Sequence, residues 1–325
     1  MIIKANSVLL FYNQLFVRIS FFLFSILITQ NLSAQDSLVF DGKKAIQLRE
    51  VVIRKGINVP AFIARVKEDT TFYKAFRNLH LLNFVSQNDI RINDKSGQLK
   101  ASLQSRTRQT VKDHCRTMEV LEEKTTGDFY DGKGAYNYYT AELYAGLFFT
   151  KGRKCNETNI IKGVELNPKG KKGLEKSKEQ LKMLFFNPGK KIPGIPFIGN
   201  KINIFDDEMA GLYDFSIDYE VLEGKNCYVF RIKAREDLDN DQKDQLVIDE
   251  MNTWFDASTM EVLFRNYRLS YDAGVYDFDV NIEVAMTKIG EYLVPSVLRY
   301  IGNWKVMFRK RERAVFTAVL SQFSE

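Results

Sequence analysis

The stretch YDFDVNIEV, residues 276–284, alternates without a fault. Phe278, Val280, Ile282 and Val284 point one way; Asp277, Asp279, Asn281 and Glu283 point the other. A period of two marks a strand with one dry and one wet face. Six more runs after about residue 203 read as strands: 212–222, 226–234, 245–256, 261–271, 292–302 and 314–323. The separators EGKN, DLDND, DAST, DAGV and GE are short and rich in turn formers. Seven strands so joined predict an antiparallel meander.

The first half is mixed. Residues 46–56 predict one alternating strand. From Pro60 the period changes, and Phe62, Val66, Tyr73, Phe76 and Leu79 suit one helix or two short ones. Polar alternating segments follow at 88–94, 97–107 and 117–125, with NDKSG at 93–97 as a hairpin turn. The spacing of Tyr138, Glu142, Tyr144 and Phe148 predicts a helix closing near Lys151 and Gly152. Residues 173–186 form an amphipathic helical pattern stopped by Asn187-Pro188-Gly189. Strands and helices in separate runs give an α+β class.

The N-terminus carries Lys4 and Arg18, then the ten-residue apolar core ISFFLFSILI, then small residues up to Ala34. This is the layout of an export signal cut after Ala34; the competing reading is a retained anchor. The expected organisation is therefore a signal peptide at 1–34, an extended lead-in at 35–60 and a single domain at 61–325. Export makes the three cysteines informative, since an oxidising compartment favours disulfides. Cys115 and Cys155 sit in polar, loop-like contexts and are the expected pair. Cys227 lies in a strand, where a buried thiol is ordinary.

Several chemistries lack support. Two histidines, His80 and His114, without triad context speak against imidazole catalysis and His-rich metal sites. Residues 187–201, NPGKKIPGIPFIGNK, contain Gly194-x-x-x-x-Gly199. Asn200 stands where a phosphate loop has lysine, no Ser or Thr follows Lys201, and Pro193 and Pro196 have no N–H to offer. The better reading is a stiff crossover, or a lip over a pocket formed by Ile195, Phe197 and Ile198. DLDNDQKD at 237–244 has acids spaced for a hard cation, but Gln242 and Ile248 stand where a calcium loop needs Gly and Glu. Asp206, Asp207 and Glu208, or Asp277 and Asp279, are the acidic pairs open to a carboxylate-dependent hydrolase. A formal net charge of +6, in an exported chain, points to neither nucleic acid nor nucleotide. No cofactor and no metal is expected.

The stretch TWFDASTMEVLFRNYRLSY, followed by YDFDVNIEV and GEYLVPSVLRY, resembles the outer-membrane lipoprotein carrier superfamily over roughly residues 212–305. That resemblance implies a strongly curved antiparallel sheet, an unclosed barrel, with helices on its concave side. It also implies non-covalent holding of acyl chains there. Under it, Trp254, Phe278, Val280 and Ile282 are the candidate ligand-binding residues. A second, shorter likeness joins LREVVIRKGINVPAF, residues 48–62, to the segment after the carboxypeptidase-regulatory-like domain of Gram-negative surface proteins. It implies an envelope location. The leading expectation is a non-enzymatic periplasmic or outer-membrane protein binding a lipid or other apolar ligand. The alternatives are an interaction module with an envelope protein partner and, behind it, a hydrolase.

Overall fold

Twelve strands join edge to edge in one sheet that does not close on itself. The structure, a computed structural model, describes residues 37–41, 44–48, 51–53, 58–161, 184, 186, 188–191, 198–272, 276–306 and 310–325, the segments before residue 54 as backbone alone. The signal peptide, most of the 173–186 helix, and Ile195 and Phe197 of the expected lip lie outside the described residues. Asp36–Glu325 is one compact unit.

In chain order the strands are β1 (Ser37–Asp41), β2 (Lys44–Leu48), β3 (Val51–Ile53), β4 (Asn83–Asn93), β5 (Leu99–Lys112), β6 (Cys115–Thr126), β7 (Lys154–Cys155), β8 (Tyr213–Leu222), β9 (Lys225–Ala234), β10 (Ile248–Asp256), β11 (Val262–Asp272), β12 (Tyr276–Ile289), β13 (Tyr292–Val306) and β14 (Glu312–Ser324). The helices are α1 (Val59–Glu68), α2 (Thr71–Asn78), α3 (Tyr139–Phe148), and the one-turn α4 (Asp207–Ala210) and α5 (Asn240–Lys243).

The expected meander is β8 through β14 in unbroken order. The period-two runs fix these strands because one face is dry. The sheet then continues into the polar alternating segments expected at 88–94, 97–107 and 117–125, through a pairing that no local pattern marks: β14 pairs antiparallel with β4, Phe316 opposite Ile90, and β5, β6 and β7 follow. At the other edge β3 adds parallel to β8. The strand expected at 46–56 is split, since β2 pairs with β1 in a separate ribbon. Pro295 cannot donate to a ladder, and it sits at the register shift beside Met286.

Helices line the inward face. In α1, the side chain of Asn58 accepts from Ala61 N, and Phe62, Ile63 and Val66 turn inward. The Phe62 ring meets Tyr228, Phe230 and Phe255 of β9 and β10 edge-on. Helix α2 packs on β13 and α3 on β14, where Tyr144 meets Phe316 at 4.5 Å. Helix α3 has no cap of its own. Glu312 of β14 supplies one, accepting from Tyr139 N and Thr140 N at 2.8 Å and from Thr140 Oγ1 at 2.7 Å. DLDNDQKD folds as α5, with Asp239 and Gln242 forming a capping box.

Candidate functional site

Between α2, α3 and the inward face of β4–β6 lies a cavity of about 210 Å³. Tyr73 and Phe76 of α2, Phe84 of β4, Leu147, Phe148 and Phe149 at the end of α3, and Phe186 line it. The Phe76 and Phe186 rings lie 4.2 Å apart, and Phe148 approaches Phe186 edge-on at 6.4 Å. A dry space of this size lined by rings suits a small apolar group such as one short chain.

Gly146, an exposed residue inside α3, is part of the lining. A Cβ there would meet nothing within 4 Å. Glycine within a helix costs roughly 1 kcal/mol against alanine. No close packing at this position demands the smaller residue.

One corner of the cavity is polar. Gln109 donates to the carbonyls of Leu79 at 2.7 Å and Leu82 at 2.8 Å. Its Oε1 accepts from Thr150 Oγ1 at 3.0 Å and Arg116 Nη1 at 3.2 Å. Arg116 grips both oxygens of Glu157, and His80 Nδ1 stands 3.4 Å from Glu157 Oε1. Burial disfavours the Glu157 charge, but the Arg116 hydrogen bond and the charges of His80, Arg116 and Arg77 outweigh it. Its pKa therefore sits below the usual glutamate value.

A strap holds this corner shut. Cys115 and Cys155 face each other across β6 and β7 and are disulfide-bonded. Beyond the bond, Arg77 donates to Thr158 O at 2.7 Å and Asn159 donates to Asn78 Oδ1 at 2.8 Å. Asn78 in turn donates to Leu293 O at 2.7 Å, so the strap is tied through α2 to the sheet.

The residues named from sequence are not gathered here. Phe278, Val280 and Ile282 do point inward, but they are buried in the main core and none lines this cavity. Trp254 lies on the opposite face of the sheet from them, because its cross-strand partner is Phe264 while Thr253 pairs with Arg265. There its Nε1 donates to Glu220 Oε2 at 3.2 Å and Arg231 stacks on its ring. Two adjacent aromatics compete at this point, and Phe255 takes the inward place. Ile198 is fully buried, a docking residue of the crossover.

None of the acids considered for hydrolysis lines the cavity. Asp277 pairs with Arg311 and Asp279 with Arg268, while Asp206 caps α4. Arg116, Glu157 and Gln109 were not singled out from sequence.

No family model and no curated protein matches the chain. Its neighbours among solved structures include a domain assigned to outer membrane lipoprotein sorting from Vibrio parahaemolyticus. That domain is 8% identical, covers 76% of this chain and 88% of its own, and has a TM-score of 0.26. A DUF1329 family protein from Desulfovibrio piger is 11% identical, covers 78% of this chain and 93% of its own, and has a TM-score of 0.24. TM-scores of this size carry no argument about function. No described helix is long and apolar enough to cross a membrane.

Proposed function

We propose that this is an exported cell-envelope protein that holds one short apolar chain non-covalently between α2, α3 and the inward face of β4–β6. The observation that carries the reading is the phenylalanine-lined cavity between α2, α3 and β4–β6. The export layout of residues 1–34 and the Cys115–Cys155 bond favour an oxidising, extracytoplasmic setting.

Native mass spectrometry of protein purified without detergent tests this reading, followed by organic extraction. A discrete added mass that extracts as an amphiphile is the expected result. An apo mass that stays unchanged on titration with medium-chain alcohols and acids would contradict it.

One observation favours a second role, docking of an envelope protein partner by strand addition. Strand β7 pairs only with Cys115 and Arg116, so the outer edge of β6 from Thr117 to Thr126 has no strand partner among the described residues. Glu119, Glu122, Glu123 and Lys124 place charge along that strand, which guards it against indiscriminate pairing. Crosslinking from position 120 in envelope fractions tests this role; a specific adduct supports it, and a bare monomer counts against it.

A further inference from the structure

Where β14 begins, a second cavity of about 440 Å³ opens between the β4–β5 turn, the loop before α3 and residues 310–313. Five cations line it: Lys95, Lys100, Lys310, Arg311 and Arg313. Three acids, Asp94, Asp128 and Glu312, line it too.

The acids are committed elsewhere. Asp94 Oδ1 closes the β4–β5 turn, accepting from Ser96 N and Ser96 Oγ at 2.8 Å and from Gln98 N at 3.0 Å. Glu312 spends both oxygens on the start of α3. Asp128 accepts from the Tyr138 hydroxyl and lies 3.9 Å from Lys100 Nζ, which also stands over the Tyr138 ring. Arg311 pairs with Asp277 and donates to Asn303 Oδ1 at 3.1 Å. Lys95, Lys310 and Arg313 remain, and among the described residues none of the three has a hydrogen bond or ion pair from its side chain.

The walls around these cations are fixed. Arg313 faces Asn93 across the β14–β4 ladder, and Asn93 leads into the turn that carries Lys95. On the other side, Gly127 has φ +65°, and a Cβ there would collide with the carbonyl of Lys100. Only glycine lets the loop sit this close to β5. Asn137 Nδ2 then donates to Asp128 O at 2.6 Å and holds the loop shut.

We propose that this cavity is a binding site for a phosphate group, contacted by Lys95, Lys310 and Arg313. A carboxylate offers two oxygens in one plane, whereas a phosphate offers three or more around a tetrahedron. Cations on two sides of one cavity match the second shape, and arginine suits it by its forked donors. The site goes beyond the apolar cavity, with which it shares no lining residue.

Titration calorimetry of the purified protein with sodium pyrophosphate, and with acetate as the flat anion, tests the assignment. Co-sedimentation with phosphatidylcholine vesicles, with and without phosphatidic acid, separates a lipid headgroup from a soluble phosphate. Pyrophosphate should bind at least about tenfold more tightly than acetate, and Arg313→Gln and Lys310→Gln should each weaken it at least about fivefold. Lys225→Gln, which removes an exposed charge from β9, should leave it unchanged. Retention on phosphatidic acid vesicles, lost in the same two variants, would uphold the site with a lipid headgroup as its ligand. Pyrophosphate binding without retention would uphold it with a soluble phosphate. Equal affinity for pyrophosphate and acetate, equal weakening in Lys225→Gln, or no binding of pyrophosphate or vesicles would overturn it. None of these results bears on the apolar cavity, so the two readings fail separately.

Discussion

Replacing Glu312 by alanine removes the carboxylate that starts α3, the helix walling the cavity. Three donors lose their acceptor: Tyr139 N, Thr140 N and Thr140 Oγ1. Both residues are buried, so water does not replace the carboxylate freely. Loss of a helix cap costs about 0.5–2 kcal/mol, and hydrogen bonds to a charged acceptor are worth about 1.5–3 kcal/mol. These ranges overlap in the same contacts, so about 3 kcal/mol is expected in total. Thr140 Oγ1 also accepts from Trp304 Nε1 at 2.7 Å, which holds the threonine in place and limits relaxation. For a chain of this size 3 kcal/mol lowers Tm by about 6 °C. Urea denaturation should show the loss at unchanged m-value, and amide exchange should accelerate first in residues 139–148. Arg106→Ala, which breaks an exposed pair with Glu122, is the control and should cost under about 1 kcal/mol. A Glu312→Ala loss below about 1 kcal/mol, or exchange unchanged in α3, would refute the capping argument.

Other expectations follow from the same contacts. Reducing or deleting the Cys115–Cys155 bond, which closes a separation of 40 residues, should cost up to about 4 kcal/mol by the chain-entropy relation. It should also expose residues 154–159 to proteolysis; equal protease resistance with and without reductant would contradict the strap. Glu157 has a folded pKa below its ordinary value near 4.5, so its contribution is full above that pH and lost as pH falls through the folded value. Acid titration of stability should therefore flatten in Glu157→Gln relative to the parent. Ile282→Ala should cost about 2–5 kcal/mol, as a fully packed core position does, and should leave affinity for an apolar chain intact at a temperature where the variant is folded.

The sequence was most legible where one face of a strand is dry. From β8 to β14 each hydrophobic residue at a period of two has a core to meet, and the observed strands differ from the expected runs by a few residues. The continuation of the sheet from β14 into β4 was not legible, because Phe316 meets Ile90 across more than two hundred residues and nothing local announces the partner. The α3 cap is hidden for the same reason, since Glu312 reads as one more charge in FRKRER. Trp254 shows a different limit. In NTWFD two aromatics are adjacent, and period two admits only one of them to the core. The cavity was beyond reach as a pattern: it is assembled from α2, β4–β6, the end of α3 and Glu157. The glycine inside α3 was visible, but its meaning depends on the empty space beside it.

The most direct test of the central claim is the affinity of Gly146→Leu for octanoate, measured beside that of Gly146→Ala. Alanine should stabilise the protein by about 0.5–1 kcal/mol, since it removes a helix-interior glycine, and should keep most of the binding. Leucine keeps the helix but adds a bulky side chain at a lining residue of the cavity, so octanoate binding should fall at least about tenfold while stability holds. Unchanged octanoate affinity in a folded Gly146→Leu variant would contradict the account, because an apolar chain would then be entering elsewhere.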